Sequence, residues 1–145
     1  MIQNIIEQPL YKDLMSSQIK QIIEYLQDNS EGFSITANIQ GVSFEPELPA
    51  PISQNFAQFT LFTLANYTFE SLQIEDDYIT FEAGFGEENF GSFCTIPYFA
   101  IFQISMEGSI LHINPTATIQ KYFLDEIDED EQQQRSMNAF KASFK

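Results

Sequence analysis

The spacing of apolar positions changes character along the chain. From Pro9 to Asn29 apolar residues recur at Leu10, Leu14, Met15, Ile19, Ile22, Ile23 and Leu26, with Lys12, Asp13, Ser16, Ser17, Lys20, Gln21 and Glu24 between them. Steps of three and four predict an amphipathic helix over 9–29. Pro9 suits its first turn, where a missing N–H costs nothing, and the stretch from Asn29 to Gly32 supplies the stop. The stripe has two readings: packing on its own domain, or a seam shared by two subunits.

After Gly32 the period falls to two. Phe33, Ile35, Ala37 and Ile39 alternate with Ser34, Thr36, Asn38 and Gln40, which predicts a half-buried strand closed by Gly41. Residues 42–55 hold Pro46, Pro49 and Pro51 and read as a long loop, of a length that is often functional. A second strand is predicted over Phe59–Tyr67 and a third element over Phe69–Ile74. Glu75-Asp76-Asp77 turns into a fourth strand whose Ile79, Phe81, Ala83 and Phe85 share a face. Gly86–Gly91 is a turn, Phe93–Ile96 a short strand, and Pro97–Ile104 one or two helical turns, although its continuous apolar run does not separate helix from strand. A last strand covers Ile110–Ile113. The sum is an α+β domain: an N-terminal helix (9–29) on a β domain (33–114) of five or six strands, in a small barrel or sandwich.

Composition sharpens this picture. The 145 residues hold 21 acids against 6 bases, a net charge of −15, yet 43% are hydrophobic and 15 are Phe, so most of the chain folds. Six acids fall within 125–131, and residues 1–124 still carry fifteen against Lys12, Lys20 and Lys121. Nucleic-acid binding and an anionic membrane surface are excluded as expectations, because both draw on clustered Lys and Arg. No apolar run spans a bilayer and the N-terminus lacks a secretory pattern, which with one cysteine points to a reducing cytoplasm; the sequon at Asn66 then reads as chance. The solvated acidic block suggests a flexible linker over 124–135, and the cationic, apolar end at 136–145 reads either as a linear binding motif or as a frayed terminus.

Catalytic chemistry has few candidates. Cys94 and His112 both fall in predicted strands, and only their meeting within hydrogen-bond reach in a cleft would support a thiol enzyme or hydrolase. The acids of 75–77 and 87–88 sit in turns and match no calcium loop. No metal site or cofactor is expected. Gly84, Gly86 and Gly91, beside Phe81, Phe85, Phe90 and Phe93, instead suggest room for another chain to approach a sheet.

Several segments in order resemble the SspB (stringent starvation protein B) family of ClpXP protease adaptors, nearest its alphaproteobacterial branch. They are LQIEDDYITFEAGFG at 72–86, TIPYFAI at 95–101, the Tyr-bearing helix from Tyr11 to Leu26, the Gly41-Val42 to Pro46 loop, and the tail Ser136-Met137-Asn138-Ala139-Phe140-Lys141 after an acidic linker. The resemblance spans almost the whole chain. It implies a homodimer through the helix (Leu14, Ile19, Ile22, Leu26) and a substrate-binding domain over 1–123. It further implies a groove for an extended ssrA-like tag formed by Leu64, Asn66, Phe81, Ala83, Phe85, Phe93 and Thr95, and a C-terminal peptide that docks on the N-terminal domain of ClpX. No enzymatic activity is implied. The chain departs from the pattern at Glu87, Glu88 and Asn89, where basic residues are usual, and at Gly84, where Lys or Arg is common; both losses weaken attraction for an acidic tag. A small acidic dimeric chaperone holding an extended segment of a secreted or partner protein is the alternative.

Overall fold

The computed structural model describes residues 2–124. In order, it contains helices α1 (Ile2–Ile6) and α2 (Pro9–Asn29), strands β1 (Gly32–Asn38) and β2 (Ser43–Glu45), helix α3 (Ala50–Ser53), strand β3 (Phe59–Ala65) and helix α4 (Asn66–Glu70). Strands β4 (Gln73–Ile74), β5 (Tyr78–Phe85), β6 (Phe90–Pro97), β7 (Ile101–Met106) and β8 (Ser109–Ile113) follow, with a last helical turn over 120–124.

The predicted bounds of α2 match those observed. Pro9 opens the helix, while the Ser30 amide and hydroxyl both donate to the Leu26 carbonyl at 2.9 and 2.7 Å and close it. Met15, Ile19, Ile23 and Leu26 are buried, whereas Leu10 and Leu14 point outward. The wide stripe is therefore divided. Of the dimer residues implied by the resemblance, Leu14 is exposed and Ile22 half-buried, whereas Ile19 and Leu26 pack in this chain's own core.

The strands form two four-stranded antiparallel sheets, ordered β3-β1-β7-β8 and β2-β6-β5-β4, and do not close into a barrel. The core fills the space between them, with Ile35, Leu64, Ile101 and Ile104 from one sheet against Ile79, Phe81, Cys94 and Ile96 from the other. Phe62 bridges them directly, with its ring centroid 6.0 Å from Phe81 and 6.4 Å from Phe85. Buried polar groups are tied into the same centre. Asn114 donates to the Phe99 and Ile101 carbonyls and accepts from the Thr116 amide, and Tyr98 donates to the Glu75 carbonyl at 2.6 Å.

Four expectations need correction. The 42–55 loop contains β2 and α3, because Phe44 pairs opposite Cys94 and extends the second sheet despite the neighbouring prolines. Strand β3 stops at Ala65, since Asn66 takes a left-handed φ of 54° and starts α4. The run after Pro97 makes one turn over Tyr98–Ala100 and then becomes β7, a strand between β1 and β8. Strand β6 starts at Phe90, earlier than predicted, paired opposite Phe85. The linker and tail, apart from Leu124, lie outside the described residues.

Candidate peptide-binding cleft

The register of β5 on β6 decides which side chains reach the surface. Phe81 pairs with Cys94 in the core, and Phe85, packed against that core, pairs with Phe90, while Glu82 pairs with Phe93 and Gly84 with Gly91 on the outer face. Beside this outer face lies a cleft of about 770 Å³. Pro46, Ala65, Ala83 and Phe93 give it apolar walls, Glu45 and Glu82 give it charge, and Asn66, Tyr67 and Thr68 of α4 form its far side. Among the described residues, no Lys or Arg lines it. The Ser92 hydroxyl donates to the Pro46 carbonyl at 2.8 Å, which pins the proline segment to the β6 wall.

One edge of β5 opens into this cleft. Strand β4 is two residues long and pairs only with Ile79 and Thr80. Tyr78 gives its carbonyl to that side, accepting from the Glu75 amide, and the Glu82 amide points the same way, donating to the Ser71 hydroxyl at 2.8 Å. Strand geometry then directs the Glu82 carbonyl and the Gly84 amide and carbonyl to the same unpaired edge. Such an edge is where an extended peptide adds to a sheet. Gly84 matters for access: a Cβ there would lie 1.8 Å from the Asn89 side-chain oxygen, so the Asn89 amide covers this glycine closely.

Tyr67 crosses from α4 and donates its hydroxyl to Glu82 Oε1 at 2.9 Å. That hydrogen bond, and then the Glu82 charge, raise the Tyr67 pKa above the ordinary phenol value and keep it a donor. On the other side of the 86–89 turn is a second depression of about 670 Å³ under Ile52 and Phe56, with Glu87 and Glu88 at its margin. Phe56 stacks on Phe44 at 5.8 Å and meets Phe85 edge-on at 6.0 Å, so the proline-rich segment closes that end of the seam between the sheets.

The groove residues named from the resemblance are dispersed by the fold. Leu64 and Phe81 are core residues with at most 1% exposure, and Phe85 is enclosed by Phe44, Phe56 and Phe62. Asn66, Ala83 and Phe93 do line the cleft, and Thr95 is half-buried two residues along the outer face. Glu45, Tyr67, Glu82 and Asn89 were not singled out for the site. Glu45 beside Pro46, and Glu82 and Asn89 beside or within Gly84–Gly91, had only that adjacency as a sequence signal, and Tyr67 had none.

Cys94 and His112 stand apart: Cys94 is in an inner strand of one sheet and His112 in the edge strand of the other, with no hydrogen bond between them. Burial pushes the Cys94 thiol up to about 12 and lowers the His112 pKa. A raised folded pKa gives Cys94 a stabilising contribution that is full below its unfolded value near 9 and is lost as pH rises toward 12. We expect native protein at pH 8 to leave a thiol reagent unreacted over an hour and to react within minutes in denaturant; rapid native reaction would show the thiol to be accessible.

No group of three or more His, Cys, Asp and Glu among the described residues could hold a metal ion, and no described helix is long and apolar enough to cross a membrane. Comparison of the sequence with models of known protein families and with curated proteins finds no match to either.

Proposed function

We propose that the chain is a non-enzymatic peptide-binding adaptor of the SspB type, working in the cytoplasm, which holds an extended segment of a cargo protein along β5 and passes it to an ATP-dependent unfoldase of the ClpX kind. The observation that carries this reading is the β5 edge from the Glu82 carbonyl to Gly84, which no strand among the described residues pairs and which opens into a cleft with apolar walls. Main-chain hydrogen bonds to that edge give affinity for any extended peptide, and the side-chain walls give selectivity. With Glu45 and Glu82 at the cleft and Glu87 and Glu88 nearby, the preferred cargo is neutral or basic rather than an acidic tag. Pairing of two copies through the exposed Leu10 and Leu14 side of α2 belongs to the same proposal, as does docking of residues 136–141 on ClpX. Tethering cargo and unfoldase through one flexible link raises their effective concentration without a new interface.

The test is binding of two fluorescent peptides to full-length protein, an ssrA tag and a charge-reversed version with Lys at its acidic positions, followed by a ClpX pull-down with and without residues 136–145. Micromolar binding stronger for the basic peptide, and a pull-down dependent on the tail, are the expected results. Folded protein that binds neither peptide would refute the adaptor. Cargo binding without any tail-dependent ClpX capture would favour a holding chaperone.

A further inference from the structure

None of the lysines in the described part of the chain lines the cleft. Lys12 lies over the rings of Phe99 and Tyr122 at 4.2 and 4.6 Å, Lys20 is 3.6 Å from Asp76, and Lys121 is 3.5 Å from Glu7. The three remaining cations, Arg135, Lys141 and Lys145, all fall in the final eleven residues, RSMNAFKASFK, beyond the described part. Read at a period of two, this segment puts Phe140, Ala142 and Phe144 on one side and Lys141, Ser143 and Lys145 on the other. At helical spacing the Lys141 and Lys145 pair lies only about 100° round from Phe140 and Phe144, so the two kinds are not set on opposite sides as a strand sets them. A strand added to β5 needs the separation, because one of its sides meets the apolar cleft wall at Ala65 and Ala83 while the other meets Glu82.

Reach agrees as well. A Cβ on Gly41 would be 3.0 Å from the Phe123 ring, so the two positions are neighbours. Gly41 is four residues from Glu45 at the cleft, at most about 14 Å along an extended chain, which puts Phe123 within about 25 Å of the cleft. The seventeen residues from Leu124 to Phe140 would have a root-mean-square span near 21–25 Å as a coil. Effective concentration is highest when a linker's span matches the separation it bridges, and here that separation is no more than about 25 Å.

We propose that residues 136–145 dock in the cleft of their own chain as a short strand on β5, with Phe140 and Phe144 toward the apolar wall at Ala65 and Ala83 and Lys141 and Lys145 toward Glu82. This assignment rests on the cleft being a peptide site. The tail is then an internal competitor: cargo entering the cleft releases it, and the released tail becomes free for another partner.

The test uses isotope-labelled full-length protein and two variants of it, K141E/K145E and F140D/F144D. Amide resonances of Gly84, Gly91 and Phe93 should shift in both variants, while those of Ile19 and Ile23 in α2 stay in place. A fluorescent synthetic RSMNAFKASFK peptide should bind the F140D/F144D chain about tenfold more tightly than the native chain, the factor set by an effective concentration near 1 mM against an intrinsic Kd near 100 μM. Unmoved cleft resonances with equal affinities would overturn the proposal. Shifts that grow with protein concentration would also overturn it, because the tail would then occupy a second copy's cleft. An ssrA or charge-reversed peptide that binds native and variant chains alike leaves the cleft a cargo site and overturns the tail as its occupant. Tail-dependent shifts in a chain that binds neither of those two peptides support the tail assignment and refute the adaptor.

Discussion

Phe81→Ala is expected to lower folding stability by about 3–5 kcal/mol, the range for removing a buried aromatic ring, and to lose peptide binding only because the domain unfolds. The ring is 1% exposed, turned inward opposite Cys94 and 6.0 Å from Phe62 at the contact between the two sheets. Truncation leaves a cavity where the sheets meet and no adjacent flexible side chain to fill it. Urea unfolding followed by far-UV circular dichroism would measure the loss. A variant as stable as the native chain but unable to bind peptide would make Phe81 a groove residue and refute the packing described here.

The second large effect is expected at Gly84, with the opposite signature. Gly84→Val should reduce affinity for an extended peptide at least about tenfold, or roughly 1.4 kcal/mol, while moving folding stability by less than about 1 kcal/mol. The nearest atoms to a Cβ here are those of the Asn89 amide, the end of a turn side chain that can swing away, and a valine fills the cleft beside the Gly84 amide. The double variant Gly84→Val, Asn89→Gly should recover any lost stability, since glycine accepts the left-handed φ of 54° at that position, but not binding. Phe93→Ser offers an independent check. Phe93 is 40% exposed on the cleft wall, so its loss should weaken binding with little change in unfolding midpoint. Native affinity in both Gly84→Val and Phe93→Ser would remove the cleft as the peptide site.

Local signals carried much of the secondary structure. Pro9 and the three-four spacing fixed α2 at both ends, and alternation located β1, β5 and β8 to within two residues. Local reading failed where a neighbour, rather than the segment itself, supplied the stability. Strand β2 lies in a proline-rich run and exists because β6 pairs with it, and β7 lies between β1 and β8 where an unbroken apolar run has no period to read.

The same division runs through the candidate site. Phe81, Phe85 and Phe93 look alike in sequence, as three odd-numbered aromatics in strands near glycines. Pairing places Phe93 opposite Glu82 and Phe81 opposite Cys94, which turns the first outward and the second inward. A shift of one residue reverses the facing of every side chain on a strand, so no inspection of either strand alone could assign them. The free edge at Glu82–Gly84 is likewise a property of how short β4 is against β5.

The sequence by itself determined the α+β class, the ends of the long helix, the acidic charge and the concentration of cations at the C-terminus, because composition and short-range spacing are complete within the chain. Only the tertiary structure decided that the two sheets stay open, which aromatics form the core, and where a backbone edge meets a cleft. Those depend on strand register and sheet order, contacts between residues far apart in sequence whose partners no local pattern encodes.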